Sequence, residues 1–109
     1  MNSYYECHIT MEGGVMNAYH IEKFLEQKTN WKFSKIDGDI NFGPGVKFYA
    51  TNQFNMKIGI EAVIHQVKSM AEILASQGAK VIRRKVEIVI YDNRERPRRR
   101  MVSQLSLKQ

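Results

Sequence analysis

Apolar and polar residues alternate from Tyr4 to Met11. Tyr5, Cys7, Ile9 and Met11 fall on one side, Tyr4, Glu6, His8 and Thr10 on the other. A period of two predicts a strand buried on one face, and Gly13-Gly14 marks its end. The period then lengthens. Ala18, Ile21 and Leu25, with Phe24 beside them, predict a helix over Met16 to Lys28, with Asn17 as a candidate N-cap. Trp31 to Ile36 reads as a second strand, with Trp31 closing the edge of the core. Turn formers then crowd Asp37 to Gly45. Val46 to Thr51 alternates again, Val46, Phe48 and Ala50 against Lys47, Tyr49 and Thr51. Ile60, Val63, Ile64, Val67, Ala71 and Leu74 recur at helical spacing up to Gly78, a natural stop. Lys80 to Tyr91 is the last long strand, with Val86, Ile88 and Ile90 on its apolar side and Lys85, Glu87, Val89 and Tyr91 opposite. Met101 to Leu107 reads either as a tail or as an edge strand completed by a partner.

Strand–helix–strand–strand–helix–strand is the order of an α+β, ferredoxin-like βαββαβ sandwich. Right-handed crossovers then put both helices on one face of a four-stranded antiparallel sheet in the order 4-1-3-2. The expected division is a single domain over residues 3–92 and a basic C-terminal extension over 93–109.

A length of 109 residues suits one such domain. No apolar run approaches the roughly 18 residues of a membrane span, and the first residues lack the pattern of a secretory signal. A lone cysteine, Cys7, builds no internal disulfide and sits on the predicted core side, so a reducing, cytoplasmic setting is expected. The net charge of +6 is unevenly spread: Arg94, Arg96, Arg98, Arg99 and Arg100, with Glu95 among them, carry most of it. Such a cluster suits phosphates or an acidic surface, or simply keeps a tail solvated. Pro97 argues against a continuous basic helix there.

The face without helices is the candidate functional surface. It carries Tyr4, Lys47, Tyr49, Lys85, Glu87 and Tyr91, along with His8 and Thr10. Tyrosines interleaved with lysines resemble, in composition, the base-stacking platforms of RNA-recognition domains, although the third strand, Val46-Lys47-Phe48-Tyr49-Ala50-Thr51, lacks their glycine-containing signature. The same face could also be covered by a second copy of the chain. His8-Ile9-Thr10 resembles the His-x-Thr element of two-histidine phosphoesterases, which implies an imidazole acting as general base or acid on a phosphodiester. That family uses two such elements and this chain holds one, so a dimer would have to supply the second. As an ordinary surface residue, His8 would instead hydrogen-bond near Glu87. Asp37-Gly38-Asp39 has acids at alternate positions, but Phe42 and Phe48 stand where a calcium loop needs glycine and glutamate. Gly43-Pro44-Gly45 lacks the lysine of a phosphate loop. No metal and no cofactor are expected.

These features favour a non-enzymatic, self-associating binding protein that contacts nucleic acid or another phosphate-bearing partner, with no membrane partner. The alternatives are a dimeric phosphoesterase-like enzyme using His8 and Thr10, and a purely structural oligomer.

Overall fold

Among the described residues, five strands and two α-helices carry the alternation and the helical stripes. A computed structural model describes residues 3–35, 46–91 and 97–105, and of Tyr91 and 97–105 only the backbone course. The elements are β1 (Tyr4–Gly13), α1 (Val15–Lys28), β2 (Lys32–Lys35), β3 (Val46–Asn55), α2 (Ile60–Ser76), β4 (Lys80–Tyr91) and β5 (Pro97–Leu105). The fold is α+β, with the ferredoxin-like order of elements, and the sheet runs β2-β3-β1-β4-β5. The expected order of the first four strands is thus observed. The chain itself supplies the extra edge strand, since β5 pairs antiparallel with β4 from Tyr91↔Pro97 to Arg84↔Leu105. Proline opens β5, a position where its missing N–H costs the ladder little.

Both helices cover the same face. Ala18, Ile21 and Leu25 of α1 and Val63, Val67, Met70, Ala71 and Leu74 of α2 are buried. They pack on Tyr5, Cys7, Ile9 and Met11 from β1, Phe48 and Ala50 from β3, and Val86 from β4. Trp31 is buried at the edge, its ring meeting Phe54 edge-on at 6.2 Å. Among the described residues, no helix is long and apolar enough to cross a membrane.

One local signal, at the start of α1, reads differently from the sequence. Asn17 is not an N-cap: α1 starts two residues earlier, with Gly14 at the cap and the Ala18 N–H bonded to the Gly14 carbonyl at 2.9 Å. Asn17 Nδ2 instead donates to the Gly78 carbonyl at 3.3 Å, tying the start of α1 to the end of α2. At Lys28 the stop signal is a hydroxyl rather than a glycine, with Thr29 Oγ1 donating to the Leu25 carbonyl at 2.9 Å and accepting from the Trp31 N–H at 3.0 Å. Gly78 does end α2, at φ +93°, a left-handed conformation that favours glycine.

Candidate functional site

The sheet face turned away from the helices holds the site. Antiparallel pairing fixes which side chains share it, because directly opposed residues point to the same side. Three rows cross its centre. In the first, Lys32 lies opposite Thr51, Thr51 opposite His8, and His8 opposite Lys85. In the second, Ser34, Tyr49, Thr10 and Arg83 follow one another across the sheet. The third joins Gln53, Glu6 and Glu87. At the end near β1's C-terminus, Lys47 and Lys80 flank Glu12, with Lys80 Nζ 3.8 Å from its carboxylate. A β-bulge beyond Thr10 lets β4 turn the Lys80 side chain onto this face.

This face is polar but not uniformly open. Arg83, Gln53 and Asn55 are exposed, and Tyr4, His8, Thr10, Lys47, Tyr49, Thr51 and Lys85 are half-buried. Glu6 and Glu87 are buried, and Val89, on the same side, is wholly so. Tyr4, His8 and Tyr49 therefore lie opposite the helices and remain outside the core. Tyr91 pairs with Pro97, and its side chain lies outside the described residues. Arg94 and Arg96 lie outside them altogether, as does the segment with Asp37-Gly38-Asp39 and Gly43-Pro44-Gly45. Arg98, Arg99 and Arg100 belong to β5, opposite Ile90, Val89 and Ile88.

Glu87 is the organising charge. Its Oε1 lies 2.9 Å from His8 Nε2 and 3.3 Å from Lys85 Nζ. The contact with His8 is close, but it falls short of hydrogen-bond geometry. The other ring nitrogen, Nδ1, lies 3.5 Å from Thr51 Oγ1, across the β1–β3 pair. The expected neighbour of His8, Glu87, is thus in place, and the hydroxyl at its ring is that of Thr51, on the adjacent strand. Sequence spacing pointed to Thr10, and alternation along β1 to Glu6; only the register brings Thr51 and Arg83 close to His8.

Burial holds the His8 imidazole below its usual pKa of about 6.5. Glu87 pulls the other way, while Lys85 and Arg83 push with burial. His8 is therefore neutral at pH 7. The unfolded chain takes up this proton first on acidification, so the folded state loses stability as pH falls from about 6.5 through the lower folded pKa. Denaturant midpoints measured in steps from pH 7.5 to 5 should fall less steeply for His8→Gln than for the parent. Equal slopes would show that His8 does not govern this pH dependence.

Cys7 points to the core, where burial pushes its thiol up to about 12, so it is inert as a nucleophile at neutral pH. Among the described residues, no group of His, Cys, Asp and Glu is placed to hold a metal ion. No family model, curated protein or solved structure matches the chain.

Proposed function

We propose that this chain is a binding protein that docks single-stranded nucleic acid on its open sheet face, with the arginines of residues 94–100 adding phosphate contacts. The observation that carries this reading is the Tyr49–Thr10–Arg83 row, which sets an aromatic ring and an exposed guanidinium two strands apart on a face without helices. Lys32, Lys47 and Lys85 surround that row. An aromatic ring accepts any base by stacking, worth about 1–3 kcal/mol per base, while the surrounding cations release counterions from the backbone. Glu6 and Glu87 sit buried in the row beyond His8, and Glu87 holds Lys85 in position more than it meets a ligand.

The same chemistry disfavours covering this face with a second copy, because like-charged cations would face each other. Among the described residues, the exposed large apolar side chains are Ile58, Ile73 of α2 and a patch of Val15, Met16 and Tyr19 on α1. Self-association through that patch would leave the sheet face free.

Fluorescence anisotropy with a labelled single-stranded oligonucleotide tests the reading. Binding should weaken steeply with salt, and Tyr49→Ala with Arg83→Ser should weaken it at every salt concentration. Replacing Arg94, Arg96, Arg98, Arg99 and Arg100 by Gln should also flatten the salt dependence, by roughly 0.7 of a slope unit for each phosphate that is no longer neutralised. Deleting the segment is a poorer experiment, because it removes the start of β5. Binding unaffected by either set would overturn the proposal. Light scattering on the same samples reads self-association; a single-chain mass at all concentrations would remove that part.

A further inference from the structure

Both ring nitrogens of His8 face polar groups, and these are of opposite character. A carboxylate lies 2.9 Å from Nε2 and a hydroxyl 3.5 Å from Nδ1. In a neutral imidazole one nitrogen carries the hydrogen and the other a lone pair. Glu87 Oε1 lies 2.9 Å from Nε2 and can only accept, so it repels a lone pair there and favours the tautomer with hydrogen on Nε2, although the approach falls short of hydrogen-bond geometry. The lone pair of Nδ1 is left facing Thr51 Oγ1–H. Carboxylate, imidazole and hydroxyl in that order are the signature of an activated nucleophile, a base within reach of a hydroxyl and oriented by a third group.

The sheet holds this arrangement rigidly. His8 and Thr51 are opposed across β1 and β3, two central strands, and Glu87 projects from β4 on the other side of β1. A separation of 3.5 Å is long for a finished hydrogen bond, but catalytic contacts of this kind commonly tighten only when substrate is present. Two lysines bracket the pair, Lys32 opposite Thr51 on β2 and Lys85 opposite His8 on β4.

We propose that Glu87, His8 and Thr51 form a proton relay that makes Thr51 Oγ1 an acceptor of acyl groups from small esters bearing a negative charge. Thr51 Oγ1 bonds to the ester carbonyl carbon as its proton passes to His8 Nδ1. The tetrahedral adduct then collapses, the bond from carbon to the leaving oxygen breaks, and the proton on Nδ1 passes to that oxygen. No electrons are gained or lost overall, and Thr51 is left as an ester. Glu87 steadies the transient imidazolium and is a positioning residue; Lys32 and Lys85 draw in the anionic end of the substrate. This activity goes beyond nucleic-acid binding and needs no nucleic acid, although it shares Lys32 and Lys85 with the proposed docking surface.

The test uses the 4-nitrophenyl monoester of succinic acid, which carries one free carboxylate, with 4-nitrophenyl acetate as the neutral comparison. The relay predicts a burst of nitrophenol approaching one equivalent per chain, faster for the succinyl ester, with the succinyl group mapped to Thr51 by peptide mass spectrometry. His8→Gln should slow the burst by about 100-fold or more, the general-base contribution. Thr51→Val should abolish it, and Thr51→Ser should retain it. The titratable and charged groups around His8 are Glu6, Glu87, Lys85, Arg83 and Lys32. The burst rate should fall as acid protonates His8, and Glu87→Gln should move that fall to lower pH while slowing the reaction. Thermal melts of each variant establish that it is folded. Acylation spread over lysines, or a Thr51→Val protein that is folded and still gives the full burst, would overturn the relay.

Discussion

Phe48→Ala is expected to cost about 3–5 kcal/mol of stability, the usual range for removing a wholly buried phenylalanine. Phe48 has no exposed surface, lies on β3 opposite Met11 of β1, and stacks at a tilt on Phe33 with ring centroids 5.9 Å apart. It sits where α1, β2 and the centre of the sheet meet, so the cavity left behind cannot close without moving several elements. A domain of this size holds only about 5–15 kcal/mol in total. Each kcal/mol lowers the melting temperature by roughly 4–8 °C, so a large drop is expected. Circular dichroism melts measure it directly; an unchanged melting temperature would mean that Phe48 is not in the core.

Arg84→Met is expected to act in the opposite direction. Arg84 lies on the helix-covered side of β4, opposite Ile9, and is 6% exposed. Among the described residues, neither its Nε nor its Nη2 has a hydrogen-bonding partner. A guanidinium cannot shed its proton to relieve the strain, and a buried donor left without a partner costs about 1–3 kcal/mol. Methionine fills the space of the aliphatic stem without a charge. The denaturation midpoint should therefore rise by an amount equivalent to about 1–3 kcal/mol with an unchanged m-value. A fall in the midpoint would show that the guanidinium is paired in solution.

The division of the sheet into a covered and an uncovered side was legible in the chain itself. Tyr5, Cys7, Ile9 and Met11 alternate without a break, and the structure buries all four. Arg84 interrupts the equivalent row on β4, and local pattern gives no reason for it. β3 runs on to Asn55, beyond the Thr51 at which the alternation fades. Asn52 and Gln53 are poor strand formers, but their pairing with Cys7 and Glu6 holds them in line. Of the two readings of Met101 to Leu107, a tail or a partner-completed edge strand, the structure shows an edge strand that pairs with the chain's own β4 and starts at Pro97. The arginines read as solvated tail, whereas the ladder depends on backbone groups that every residue but proline supplies in full. For the site, His8 beside Glu87 followed from the two faces alone. Thr51 at Nδ1, and the Tyr49–Thr10–Arg83 row, depended on the stagger between strands far apart in sequence, which no local pattern encodes.

The proposed binding activity rests on the uncovered side of the sheet as the ligand-bearing surface. Its most direct test is an NMR titration of ¹⁵N-labelled protein with a short single-stranded oligonucleotide. The predicted result is a set of shifts centred on Thr10, Tyr49, Arg83 and Lys85 that fades as salt is raised. Shifts confined to α1 and α2, or a spectrum that stays still at saturating oligonucleotide, would contradict it.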